Sequence, residues 1–212
     1  MSGGLDLNAS YTFASSTSNV GPAYDELDSN LVQDVRDPFG EVQDGPATRT
    51  DARHRVTISA IVQAPWDIQV APFFMYRSAL PTHTFEGIDL NADGNLNDKT
   101  DRAYRYTGLN GDGRASFEEM GPCETVNCSR RAPFSQLNLR VSRAFGLPGD
   151  VRVEAIAEVF NVFNAINPST FTARRLSAAG APLSSFMQPT EFAGDFQNPE
   201  QRVGQIGFRF TF

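Results

Sequence analysis

Apolar residues recur at every second position in six stretches of the chain. Leu5, Leu7, Ala9, Tyr11 and Phe13 alternate with Asp6, Asn8, Ser10 and Thr12. Val56, Ile58, Ala60 and Val62 alternate with Thr57, Ser59 and, less cleanly, Ile61. Ile68, Val70, Pro72, Phe74 and Tyr76 face away from Asp67, Gln69 and Arg77. Leu137, Leu139 and Val141 interleave with Asn138, Arg140 and Ser142. Val151, Val153, Ala155, Ala157 and Val159 interleave with Arg152, Glu154 and Glu158. Ile206, Phe208, Phe210 and Phe212 interleave with Gln205, Arg209 and Thr211. A period of two puts one apolar and one polar face on an extended segment. It predicts strands near 4–15, 53–64, 67–78, 134–145, 151–164 and 201–212. The expected fold is all-β, an antiparallel up-and-down meander of about six long strands.

The connections between these strands sharpen the picture. Ala64-Pro65-Trp66 joins the second strand to the third, and Gly146-Leu147-Pro148-Gly149-Asp150 joins the fourth to the fifth. The other connections, roughly 16–52, 78–132 and 165–200, are long. Long structureless loops are uncommon in compact soluble domains. Outer-membrane barrels alternate tight periplasmic turns with long extracellular loops. The meander is therefore expected to be an open segment of a large transmembrane β-barrel. With both short turns periplasmic, the last strand runs inward and Phe212 ends in the periplasm.

Matching apolar positions across the turns gives expected registers: Val62 opposite Ile68, and Val141 opposite Val153. The second register puts Arg140 opposite Glu154. An arginine at mid-bilayer costs about 2–4 kcal/mol on a lipid-facing surface. Arg140, Arg152, Glu154, Glu158 and Arg209 are thus expected to line a wet lumen. Trp66, Phe145 and Phe212 at one end, and Tyr76, Phe134 and Phe163 at the other, sit where interfacial aromatic girdles belong.

Composition agrees with strands and excludes some partners. The chain has 17 Phe, 5 Tyr, 1 Trp and 17 Gly, with Lys99 its single lysine. Its formal charge of −7 is wrong for coating nucleic acid, which needs Lys and Arg to neutralise phosphates. There is no apolar run long enough for a membrane helix. A membrane strand needs only about 9–11 residues with alternate ones apolar. The segment Met1-Ser2-Gly3-Gly4-Leu5-Asp6 lacks the basic and apolar regions of a signal peptide.

The final strand is similar to the assembly signal of outer-membrane proteins through Gln205, Gly207, Phe210 and Phe212. Asp51-Ala52-Arg53-His54-Arg55-Val56, Asp89 to Asp98, and Glu158-Val159-Phe160-Asn161-Val162-Phe163-Asn164 follow the family order too. Together they resemble the C-terminal barrel of TonB-dependent outer-membrane receptors of the Oar-like, carboxypeptidase-regulatory-domain-bearing group. The likeness runs from Leu5 to Phe212 and is weakest in 16–52 and 165–200. It implies energised uptake across the Gram-negative outer membrane. It also implies partners: outer-membrane lipid, the barrel-assembly machinery, the remaining strands and plug of the same barrel, and TonB acting through an N-terminal part not found in this sequence. Barrels of this kind have about 22 strands. Six strands close no such barrel and leave two edges, so the chain is expected to be a fragment. A structural or adhesive barrel and a secreted calcium-binding β domain are the alternatives.

Candidate chemistry is confined to the loops. Asp89, Asn91, Asp93, Asn95 and Asn97 place oxygen ligands at alternate positions around Gly94, the opening of a calcium loop. Thr100 stands where the closing bidentate glutamate belongs. Asn110, Asp112, Ser116 and Glu119 repeat the pattern around Gly113, with Gly108 in the first ligand position. Structural calcium is the one cofactor these patterns suggest; an Asx- and Gly-rich turn without metal reads equally from the same residues. Cys123 and Cys128, with four residues between them, suggest a local disulfide, and two free thiols are the alternative. The only histidines, His54 and His83, are isolated, and no nucleophile elbow, zinc-protease helix or phosphate loop occurs. Enzymatic activity is not expected, and Glu154 with Glu158 is read as a lumenal charge ladder rather than an acid–base pair. The first long loop holds Asp25, Glu26, Asp28, Asp34, Asp37, Glu41, Asp44 and Asp51 against Arg36 and Arg49. That is a solvated loop, or at its sharpest a surface that gathers cations.

Overall fold

A computed structural model describes residues 4–18, 45–90, 92, 94, 96, 98–193 and 202–212. The chain is all-β. Its frame is one six-stranded antiparallel sheet with strand order β1-β4-β5-β10-β11-β14. These are β1 (Leu5–Phe13), β4 (His54–Ala64), β5 (Ile68–Arg77), β10 (Phe134–Gly146), β11 (Arg152–Phe160) and β14 (Val203–Thr211). Each pairs with the next in sequence, so the frame is a meander, as the alternation predicts. It is open: β1 and β14 are its two edges. Among the described residues no helix is long and apolar enough to cross a membrane, which says nothing about crossing by strands.

Both hairpin registers differ from expectation. Val62 pairs with Val70, and Ala64 with Ile68. The turn is Pro65-Trp66-Asp67, with Trp66 and Asp67 both left-handed at φ 64° and 58°. Proline has no N–H to give a ladder, so it leaves the strand and opens the turn. Val141 pairs with Ala157 rather than Val153, and Arg140 with Glu158 rather than Glu154. Here the strands run on to a Gly146–Arg152 pair, and the Leu147 N–H donates to Val151 O across Pro148, Gly149 and Asp150. Both shifts are even numbers of residues. An even slip keeps every side chain on its face.

The long connections are not structureless, contrary to the six-strand expectation. They carry eight shorter strands: β2 (Thr17–Ser18), β3 (Gly45–Pro46), β6 (Pro81–Thr82), β7 (Arg102–Leu109), β8 (Ala115–Pro122), β9 (Ser129–Arg130), β12 (Pro168–Phe171) and β13 (Pro189–Phe192). The order β6-β9-β7-β8 makes a second sheet, and β2-β3 and β12-β13 make two small ones. All three connections leave and re-enter the frame at the same end, where Phe13 pairs with His54, Arg77 with Phe134 and Phe160 with Val203. They form a cap.

The buried apolar residues lie in this cap or at its margin. Leu80, Ala103, Ala115, Val126, Phe171, Leu176, Phe186 and Met187 are among them. None lies on the six frame strands. There, among the described residues, the only buried side chains are Gln136 and Ser142, and both are polar.

Candidate functional site: the two faces of the sheet

The register joins the alternating residues into continuous rows. One row runs Leu5, Val62, Val70, Val141, Ala157, Ile206, apolar across all six strands. The neighbouring rows on that face add Leu7 with Ala60, Pro72 with Leu139 and Val159, and Ala9 with Ile58, Phe74 and Leu137. Among the described residues nothing covers it: Leu5, Ile206 and Phe208 are 68%, 79% and 65% exposed. Among the described residues, charged side chains and histidine reach this face only near its ends. His54, hydrogen-bonded to the Tyr11 hydroxyl at 2.9 Å, is at the cap end. Arg143 is toward the short-turn end, its guanidinium folded over the Phe145 ring at 4.9 Å.

The opposite face carries the charges. Arg140 lies 3.6 Å from Glu158 and 3.7 Å from Glu154. Glu154 in turn holds Arg209 at 3.3 Å, and the Gln205 amide donates to Glu158 at 2.5 Å. The result is a ladder across β10, β11 and β14. Arg140 and Glu154 do share a face and touch, but diagonally, because the register places Glu158 directly opposite. Near the short turns Arg152, Glu154 and Arg209 border a cavity of about 340 Å³ with Asp67, Gln69 and Ser142. Both glutamates are engaged by arginine.

In the terminal strand, Gln205 and Gly207 lie on the charged face, and Phe210 on the apolar face opposite Val153. Phe212 is fully exposed. Trp66 and Phe145 are exposed beside the short turns, and Phe163 at the cap end. Phe134 is a correction: it belongs to the charged face, where the Arg77 guanidinium lies 5.9 Å from its ring centre. Its even number puts it in phase with Gln136, Asn138 and Arg140, a phase that aromatic content alone hides.

The cap is tied together by polar groups that the alternation does not single out. Arg131 donates to Pro81 O, Ser169 O and Thr48 O, one carbonyl from each long connection. Asp51, fully buried, accepts from Arg130 at 3.1 Å and from the Ser16 N–H, with Arg53 at 3.7 Å. Asn167 pairs with both backbone groups of Ser135, acting as an extra strand residue. Glu86 grips Arg175 at 2.7 Å, and that hydrogen bond raises the Arg175 pKa above its ordinary value. Tyr104, Phe117 and Phe186 meet edge to face. Cys123 and Cys128 are disulfide-bonded. That bridge closes the turn holding Val126 and Asn127, both buried against β3, where the Asn127 amide donates to Pro46 O.

The two calcium candidates are placed differently. Asn91, Asp93, Asn95 and Asn97 lie outside the described residues. Asp89 accepts the Gly94 N–H at 2.9 Å, and Asp98 accepts the Leu90 N–H at 2.5 Å. The second pattern is the tip of the β7–β8 hairpin: the Asn110 N–H donates to Arg114 O, and Ser116 donates to the Asn110 side chain. Glu119 lies out along β8, paired with Arg102 at 3.3 Å. Four residues of strand separate it from Ala115 by about 13 Å, so it does not close a ligand loop there. Among the described residues no group of three His, Cys, Asp or Glu is arranged to hold a metal.

The fold and faces define a class: an all-β chain whose open meander is apolar on one side, charged on the other and capped at one end. No family model, curated protein or solved structure matches it.

Proposed function

We propose that the six-stranded sheet is a segment of a large outer-membrane β-barrel, its apolar face in lipid and its charged face toward a wet lumen. The observation that carries this reading is the uncovered apolar face. Between the His54 row and the Arg143 row, β4 advances ten residues, from His54 to Ala64. That is about 33 Å along the strand. At the ~40° tilt of barrel strands it spans roughly 25 Å, the height of an outer-membrane apolar band. Six strands make this face about 24 Å wide, so it covers some 800 Å². The largest apolar patch of an ordinary soluble monomer is about 300–600 Å².

The free edges of β1 and β14 support the same reading. Unpaired N–H and C=O groups are not tolerated in hydrocarbon, so each edge needs a further strand. The cap then lies outside the cell and the short turns in the periplasm. The resemblance to TonB-dependent receptors supplies the function within this architecture: a transport barrel for energised uptake of a ligand. A secreted calcium-binding domain would require a cover for the apolar face. Calcium at the 89–98 turn is retained as a structural proposal within the cap. Phase separation in a cloud-point detergent tests the main reading. The protein belongs in the detergent phase; recovery as a monomer in the aqueous phase would overturn it.

A further inference from the structure

Arg55 and Arg77 stand directly opposite each other on β4 and β5. Both lie on the polar face, at its cap end, in the row Thr12, Arg55, Arg77, Phe134. Like charges directly opposite on neighbouring strands repel. Two other arginines of this face, Arg140 and Arg209, each meet a glutamate. Among the described residues no carboxylate lies within ion-pair distance of Arg55 or Arg77. Arg55 is exposed and donates one N–H to Thr50 O at 3.3 Å. Arg77 is half-buried over the Phe134 ring, and its Nε–H is buried with no hydrogen-bond partner among the described residues.

A buried donor without an acceptor is costly, and a repelling pair adds to that cost. One bound oxyanion relieves both. A guanidinium offers its N–H groups as a planar fork matched to carboxylate or phosphate oxygens. Register puts the two arginines side by side on adjacent strands, with Thr12 in the same row one strand further, so two such forks share one end of the polar face. We propose that Arg55 and Arg77 form an oxyanion site that takes a phosphate or carboxylate group between their guanidinium groups. The inference uses only the polar face and stands whether or not the opposite face lies in lipid.

The test is a titration of the ¹⁵N-labelled chain in detergent micelles with inorganic phosphate and, separately, acetate, following the arginine Nε–H resonances. The Arg77 resonance is expected to shift saturably with phosphate. Arg55→Gln is expected to weaken binding by about tenfold or more, the size of one charge-assisted contact. Arg55→Lys, which keeps the charge but not the fork, should fall between. Arg143→Gln, on the other face, should bind as the parent does. A saturable acetate response at higher concentration assigns the site to small oxyanions in general. An Arg77 resonance indifferent to millimolar phosphate in the unsubstituted chain would overturn the proposal, as would unchanged affinity in Arg55→Gln.

Discussion

Arg140 stands directly across from Glu158, 3.6 Å from its carboxylate, and reaches Glu154 diagonally at 3.7 Å. One cation therefore serves two anions in the middle of the charged face. If that face is wet, the ladder is screened and each pair contributes little. Arg140→Ala should lower stability by no more than about 1 kcal/mol, judged from the urea midpoint in micelles. A loss of several kcal/mol would mean that the face is dry, because removing one partner of a desolvated pair strands the others.

Gly45 is held against the disulfide-closed turn. A Cβ built on it would lie 2.0 Å from Val126 O. Gly45→Ala must push β3 away from Val126 and Asn127, and overpacking of this kind costs about 1–3 kcal/mol. The expected result is faster proteolytic cleavage in the cap with the sheet intact. Gly146→Ala, where an added Cβ meets nothing within 4 Å, is the neutral control. Equal cleavage rates for the two variants would count against the packing described.

Burial raises the Tyr104 hydroxyl pKa above its usual range, with Arg175 pulling it partly back; burial alone raises that of Tyr106. A raised pKa means that the unfolded chain loses its proton first. The cap should therefore hold constant stability below the ordinary tyrosine value of about 10 and weaken as pH rises above it. Tyr104→Phe with Tyr106→Phe should flatten that alkaline decline. The readout is the urea midpoint followed from pH 8 to 11; a decline unaltered by the two substitutions would contradict it.

The frame was legible because its signal is physical and local. A period of two assigns every residue of Leu5–Phe13 or Val203–Thr211 to a face without any knowledge of partners. Register was less legible. The Val62–Ile68 and Val141–Val153 registers missed because apolar matching fixes only parity, while the turn fixes the count; parity was enough to put Arg140 and Glu154 on one face, where they pair diagonally. Pro65 and the extra reach of β10 to Gly146 decided the count. The β7–β8 hairpin was missed although its turn, Asn110-Gly111-Asp112-Gly113, is a strong hairpin signal. Oxygen-rich spacing drew the same residues into a calcium pattern. Arg131 left no trace in sequence, since its three acceptors are main-chain carbonyls from three separate connections.

The direct test of the proposal that the apolar face of the sheet meets lipid is depth-dependent quenching of single tryptophans by bromine-labelled acyl chains in lipid vesicles, in a Trp66→Phe background. Tryptophan placed at Val141, Ala157 or Ile206 should be strongly quenched. Tryptophan at Arg140, Glu158 or Gln205, one residue away on the same strands, should not be. Equal quenching on both faces, or none on either, would contradict the proposal that the apolar face meets lipid.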